Sequence, residues 1–142
     1  MQTWIIFALL GAAAAALTNI FAKVGMKGID STMATAVRSM VATIYLIGFT
    51  TVLGKWPHLK TLNPKALLMI VLAGLAGASS WLFEFRALAI GGPVSGVVAL
   101  DKLSVPLAVV LAVLIFHERL LPLNWLGVLL IVAGGYLVAY KG

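Results

Sequence analysis

Long apolar runs alternate with short polar breaks along this chain, and the breaks coincide with helix-ending residues. At 1.5 Å rise per residue, a helix needs roughly 20 apolar residues to cross about 30 Å of hydrocarbon. Five runs meet that length, at about 3–22, 32–53, 66–85, 93–116 and 122–140. The first break is Lys27-Gly28-Ile29-Asp30-Ser31, where Asp30 or Ser31 can cap the second helix by accepting a bond from a free backbone N–H. The second, residues 54–65, contains Lys55, Pro57, His58, Lys60 and Pro64 and interrupts both apolarity and helix. Gly91-Gly92-Pro93 separates the third run from the fourth, with Pro93 suited to a first helical turn. Pro106 lies inside the fourth run and predicts a kink near Leu103, because its ring removes one helical hydrogen bond and crowds the preceding turn. Gly127, Gly134 and Gly135 allow close helix contact in the fifth. Trp4, Trp56, Trp81, Trp125, Tyr136 and Tyr140 fall mostly near run ends and are assigned as interfacial anchors.

Composition supports lipid as the solvent. Apolar residues form 63% of the 142-residue chain and charged residues 10%, far from the balance of a water-soluble domain. Surface-to-volume scaling leaves a soluble domain of this length no way to hide that much apolar area. A cleaved signal peptide is the competing reading of the first run, but no Lys or Arg precedes it and it exceeds a usual signal-peptide core. The expected fold is therefore all-α and integral to the membrane, a single five-helix bundle of residues 1–142, multi-pass in the inner membrane.

The formal charge of +6 changes little, because the basic residues are spread over short loops. That scatter fits anionic lipid headgroups and not nucleic acid. Cysteine is absent, which excludes disulfide frameworks and thiolate metal sites.

An odd number of spans puts the termini on opposite sides. Lys55, Lys60, Lys65 and Arg119 then share the N-terminal side, called side A, and Lys23, Lys27, Arg86 and Lys141 share side B. The excess of Lys and Arg that orients most membrane proteins disappears in this division. Two explanations stand: a miscounted span or an orienting signal confined to the second loop, or dual topology with pairing as an antiparallel homodimer. Such a dimer would build from two chains the inverted repeat that many transporters carry in one.

The chain's candidate chemistry lies in charges placed where hydrocarbon is expected. Arg38 in the second run and Asp101 and Lys102 in the fourth are roughly 9–13 Å from the side B ends of their helices. A charge near mid-bilayer costs on the order of 2.5–3.5 kcal/mol on insertion scales. Arg38 and Lys102 can snorkel, since their side chains are long and lean toward the side B ends. Asp101 is too short for that and must be paired, protonated or hydrated, with Arg38 the expected partner. The cluster is either a buried pair that fixes helix register or part of a substrate or proton path. Ser104, Glu84 and Asn19 complete the candidate path on the side B half. His58 and His117 lack metal-ligand spacing, and no catalytic triad, HExxH or phosphate loop occurs at usable spacing, so neither an enzyme nor a bound cofactor is expected.

Several segments in order resemble the drug/metabolite transporter superfamily, specifically the short five-helix bacterial and archaeal branch of its EamA-like members. They are Lys23-Val24-Gly25 through Gly28-Ile29-Asp30-Ser31, Ala36-Val37-Arg38-Ser39, Phe85-Arg86-Ala87-Leu88-Ala89, Asp101-Lys102-Leu103-Ser104-Val105-Pro106, and Glu118-Arg119-Leu120 followed by Gly127 and Gly134. The resemblance covers essentially the whole chain. It implies a carrier of small molecules without ATPase or cofactor, and one half of a ten-helix inverted-repeat transporter, so that a second copy is needed. The small multidrug resistance branch couples protons through a Glu in its first helix; this first run has none, and that mechanism does not carry over.

The expected function is secondary transport of a small metabolite or drug-like molecule, as an exporter working by alternating access in a homodimer. Two alternatives differ in class: a flippase or translocation subunit for lipid-linked substrates, and a non-transporting membrane scaffold. A lateral opening holding a lipid phosphate on Arg38 and Lys102 would favour the first, and dry packing of the polar cluster the second.

Overall fold

A computed structural model describes residues 3–140. Among these residues every regular element is a helix: α1 (Thr3–Gly25), α2 (Ser31–Val52), a 3-10 helix (Trp56–Thr61), α3 (Pro64–Ala89), α4 (Val94–Asp101), α5 (Ser104–Phe116) and α6 (Pro122–Ala139). Five segments are long and apolar enough to cross a membrane, with α4 and α5 together forming the fourth. Large apolar side chains on them face outward, among them Phe7, Phe83, Leu107 and Leu137. Water would not tolerate so much exposed hydrocarbon, and a bilayer does. Lys141, assigned above to side B, lies outside the described residues.

The chain divides into two compact units, one of residues up to 23 and from 90 onward, the other of residues 24–89. The second unit is a helical hairpin. Gly28, at φ +75, makes the turn out of α1 in a conformation that a Cβ disfavours. Asp30 then caps α2, its carboxylate accepting from the amides of Thr32 at 2.9 Å and Met33 at 3.0 Å. The break after α2 contains the 3-10 helix, where only irregular backbone was expected. Pro57 enters that helix at its first turn, and the Trp56 indole N–H donates to Thr51 Oγ1 at 2.9 Å. α3 continues to Ala89, past the expected end at Phe85. Helical hydrogen bonding does not stop where apolarity does; Gly91, at φ +101, marks the turn beyond.

In the other unit, α4 and α6 run antiparallel in close contact. A Cβ added at Gly96 would come 3.8 Å from the Ala139 Cα, and one added at Gly135 would come 3.0 Å from the Ala99 carbonyl oxygen. Small residues thus let the two backbones approach, and dispersion between tightly packed atoms replaces the hydrophobic effect that lipid does not supply. Lys23 donates to the Gly92 carbonyl at 3.1 Å, tying the end of α1 to the turn that opens α4.

The fourth span breaks at the position that Pro106 predicts. With no N–H on Pro106, the Lys102 carbonyl loses its usual partner four residues on, and the Val105 amide takes it at 3.0 Å. The Leu103 amide donates to Leu100, also three residues back, at 3.0 Å. Two successive tightened turns replace the α-helical ladder at Lys102 and Leu103 and divide the span into α4 and α5.

Candidate functional site

Polar groups collect at two places, one in each unit. In the hairpin, α2 carries Ser31, Thr35, Ser39 and Thr43 at four-residue spacing, which keeps them close along one side of the helix. Thr35, Ser39 and Thr43 each donate a hydroxyl proton to the carbonyl four residues earlier, at 2.8, 2.8 and 2.9 Å. With their protons engaged, these oxygens offer lone pairs to their surroundings. Ser31 and Thr35 are buried.

Arg38 stands on the same helix, roughly 10 Å from its first residue. Its guanidinium carbon lies 3.9 Å from the centre of the Trp81 ring and 5.5 Å from that of Phe85, both on α3. Trp81, Glu84, Phe85 and Leu88 follow the three- and four-residue spacing of one helix face. Phe85 and Leu88 are almost fully buried, and Glu84 attracts the Arg38 charge. Cation–π stacking contributes about 0.5–2 kcal/mol, more as the site loses water. Nη1 of Arg38 is buried without a hydrogen-bond partner among the described residues. The guanidinium is therefore held by aromatic faces, with donor capacity left over.

The second cluster sits at the break between α4 and α5. Lys102 Nζ lies 3.1 Å from Asp101 Oδ2, and Ser104 opens α5 one residue beyond Leu103. On an unbroken helix, neighbouring residues project in different directions and do not face each other. The tightened turns at Lys102 bring these two side chains together. The Asp101 carboxylate therefore finds a charge partner one residue away, in Lys102. The side chains remain 30% exposed for Asp101 and 51% for Lys102.

Of the six residues singled out by sequence, two lie in the hairpin unit and four in the other. Glu84 acts electrostatically on Arg38 across the α2–α3 hairpin. Asp101 and Lys102 pair at the helix break, and Ser104 opens the helix beyond it. Asn19, on α1, is buried, at 7% exposure. Sequence reasoning missed Trp81 as the support of Arg38 and assigned it as an interfacial anchor. The signal was present in the spacing of Trp81, Phe85 and Leu88, which marks a packed helix face. The hydroxyl series on α2 was also legible at its spacing and was not used.

His58 and His117 are both exposed. His117 adopts the left-handed conformation at the end of α5, with φ +54. Among the described residues no group of three or more His, Cys, Asp or Glu is arranged to hold a metal ion.

Comparison with known proteins agrees with this arrangement of spans. The model of the EamA-like transporter family matches residues 2–140. A Sinorhizobium protein named "Uncharacterized transporter in cobO 3'region" is 41% identical over 138 residues, which cover 97% of each chain. No solved structure matches the chain. With five apolar spans and a family match over nearly its whole length, this multi-pass membrane protein belongs to the EamA-like transporter family.

Proposed function

We propose that the chain is one protomer of a homodimeric secondary transporter, which exports a small metabolite or drug-like molecule across the inner membrane by alternating access. The reading rests on one observation above all: a family transporter match accompanies ionisable groups placed well inside two of the spans. Charges in such positions are costly, and where they are kept they usually mark a path for substrate or ions. Balanced loop charge supports a second, oppositely inserted copy, because a chain with no orienting bias can enter the membrane either way. The break at Lys102 and Leu103 supplies a bending point, and bending at a fixed site is one way a bundle exchanges access between two sides.

Asp101 and Lys102 line the path at the break, where their pair can open to admit a polar group. In the hairpin, Arg38 and Glu84 are the corresponding candidates. The test is flux into liposomes holding the purified protein, across amino acids, purines and cationic drugs. Saturable uptake of one class above protein-free vesicles is expected. Uptake equal to protein-free vesicles for every class would overturn the reading.

A further inference from the structure

The Arg38 site has a chemistry of its own that points to a ligand class. A guanidinium has five N–H donors in a planar fork and no acceptor. Here its attraction to the protein comes through the Trp81 and Phe85 rings and the nearby Glu84 charge. An aromatic face engages the cation and consumes none of its in-plane donors. Nη1 is buried with no acceptor among the described residues, and a buried donor left unmade is costly, more so on a charged group. The α2 hydroxyl oxygens keep lone pairs after donating to their own helix, yet none of them serves Nη1 as an acceptor.

We propose that Arg38, seated on Trp81, is an oxyanion-binding site that takes the carboxylate or phosphate group of the transported molecule. Carboxylate and phosphate oxygens match the guanidinium fork through two parallel hydrogen bonds, which a lone ammonium such as Lys102 does not offer. Arg38 is partly exposed as a whole while Nη1 is covered. The ligand meets the open part of the fork first, and Nη1 joins when the guanidinium turns on the indole. Binding therefore changes the surroundings of Trp81. The Asp101–Lys102 pair is internally compensated and does not compete for the same group. The assignment rests on the transport reading but concerns binding alone.

The test uses a full-length variant in which Trp4, Trp56 and Trp125 are replaced by Phe, leaving Trp81 as the sole indole. It is placed in phosphatidylcholine nanodiscs and its emission is followed during titration with benzoate, with benzamide as the uncharged isostere. A second arm replaces part of the lipid with phosphatidylglycerol. Saturable change with benzoate and none with benzamide is expected for a soluble carboxylate. A change on adding phosphatidylglycerol alone assigns the same site to a lipid phosphate. Arg38→Gln should weaken either response by about tenfold or more, the loss of one charged hydrogen bond, and Arg38→Lys should restore only part of it. Equal responses to benzoate and benzamide, with no response to phosphatidylglycerol, would overturn the proposal without any Arg38 variant. Binding without flux in liposomes would instead count against the transport reading, so the two failures are separable.

Discussion

Gly135 and Gly134 are neighbours in sequence and opposites in space, which makes a sharp test of how α4 meets α6. A Cβ at Gly135 would come 3.0 Å from the Ala99 carbonyl oxygen, 3.6 Å from Leu103 Cδ2 and 3.9 Å from the Ala99 carbonyl carbon. Nothing stands within 4 Å of a Cβ at Gly134. Both substitutions to Ala gain helix propensity, about 0.8–1.0 kcal/mol in an ordinary helix. At Gly135 that gain is set against overpacking, typically about 1–3 kcal/mol. The atom met there is backbone and cannot rotate away like a side chain, so the helices must separate. Gly134→Ala should therefore be neutral or stabilising by up to about 1 kcal/mol, and Gly135→Ala should be less stable than it by about 1–3 kcal/mol. Thermal unfolding in one detergent, followed by loss of the monodisperse chromatographic peak, reads the order directly. Melting should fall from Gly134→Ala through the parent to Gly135→Ala. Equal melting of the two variants would refute the close approach of Ala99 to Gly135.

Three further outcomes follow from other parts of the chain. Pro106→Ala returns an N–H to the Lys102 carbonyl, so the fourth span should straighten and transport should fall; spin labels at Val97 and Leu111 should report a longer separation, and an unchanged distance would show that Pro106 does not cause the break. Asp101→Asn removes the partner of Lys102 and should abolish transport while leaving membrane insertion intact, as read by flux and membrane fractionation; undiminished flux would remove Asp101 from the path. The Asp30 carboxyl is held below the ordinary carboxylate range, first by the Met33 amide, which outweighs the opposing effect of desolvation, and then by Thr32 and the charge of Arg86. A group lowered on folding contributes stability above its unfolded pKa and loses it as pH falls through the folded value. Asp30→Ala should accordingly melt lower than the parent at neutral pH, and the gap should narrow as pH drops below the carboxylate range; a gap independent of pH would contradict the cap.

Features set by local sequence were legible before the structure. The five spans follow from apolar length alone, and Asp30 and Pro106 act within four residues of themselves. The end of α3 was not legible by the same route, because hydropathy falls at Glu84 and Arg86 while the backbone ladder continues to Ala89. The Asp101–Lys102 pair needed the break to be known in detail, since an intact helix would turn the two side chains apart. Arg38 on Trp81 depends on the register of α2 against α3. No single-helix pattern contains that register, though the Trp81, Phe85 and Leu88 spacing marks the face involved.

The proposal that this chain is half of a transporter predicts that it works only as two copies. Single-vesicle flux tests it most directly, using labelled protein whose copy number in each liposome is counted by stepwise photobleaching, with the substrate class that the liposome panel selects. Flux is expected in vesicles holding two copies and absent from those holding one. Vesicles with a single copy that transport at the rate of those with two would contradict the account.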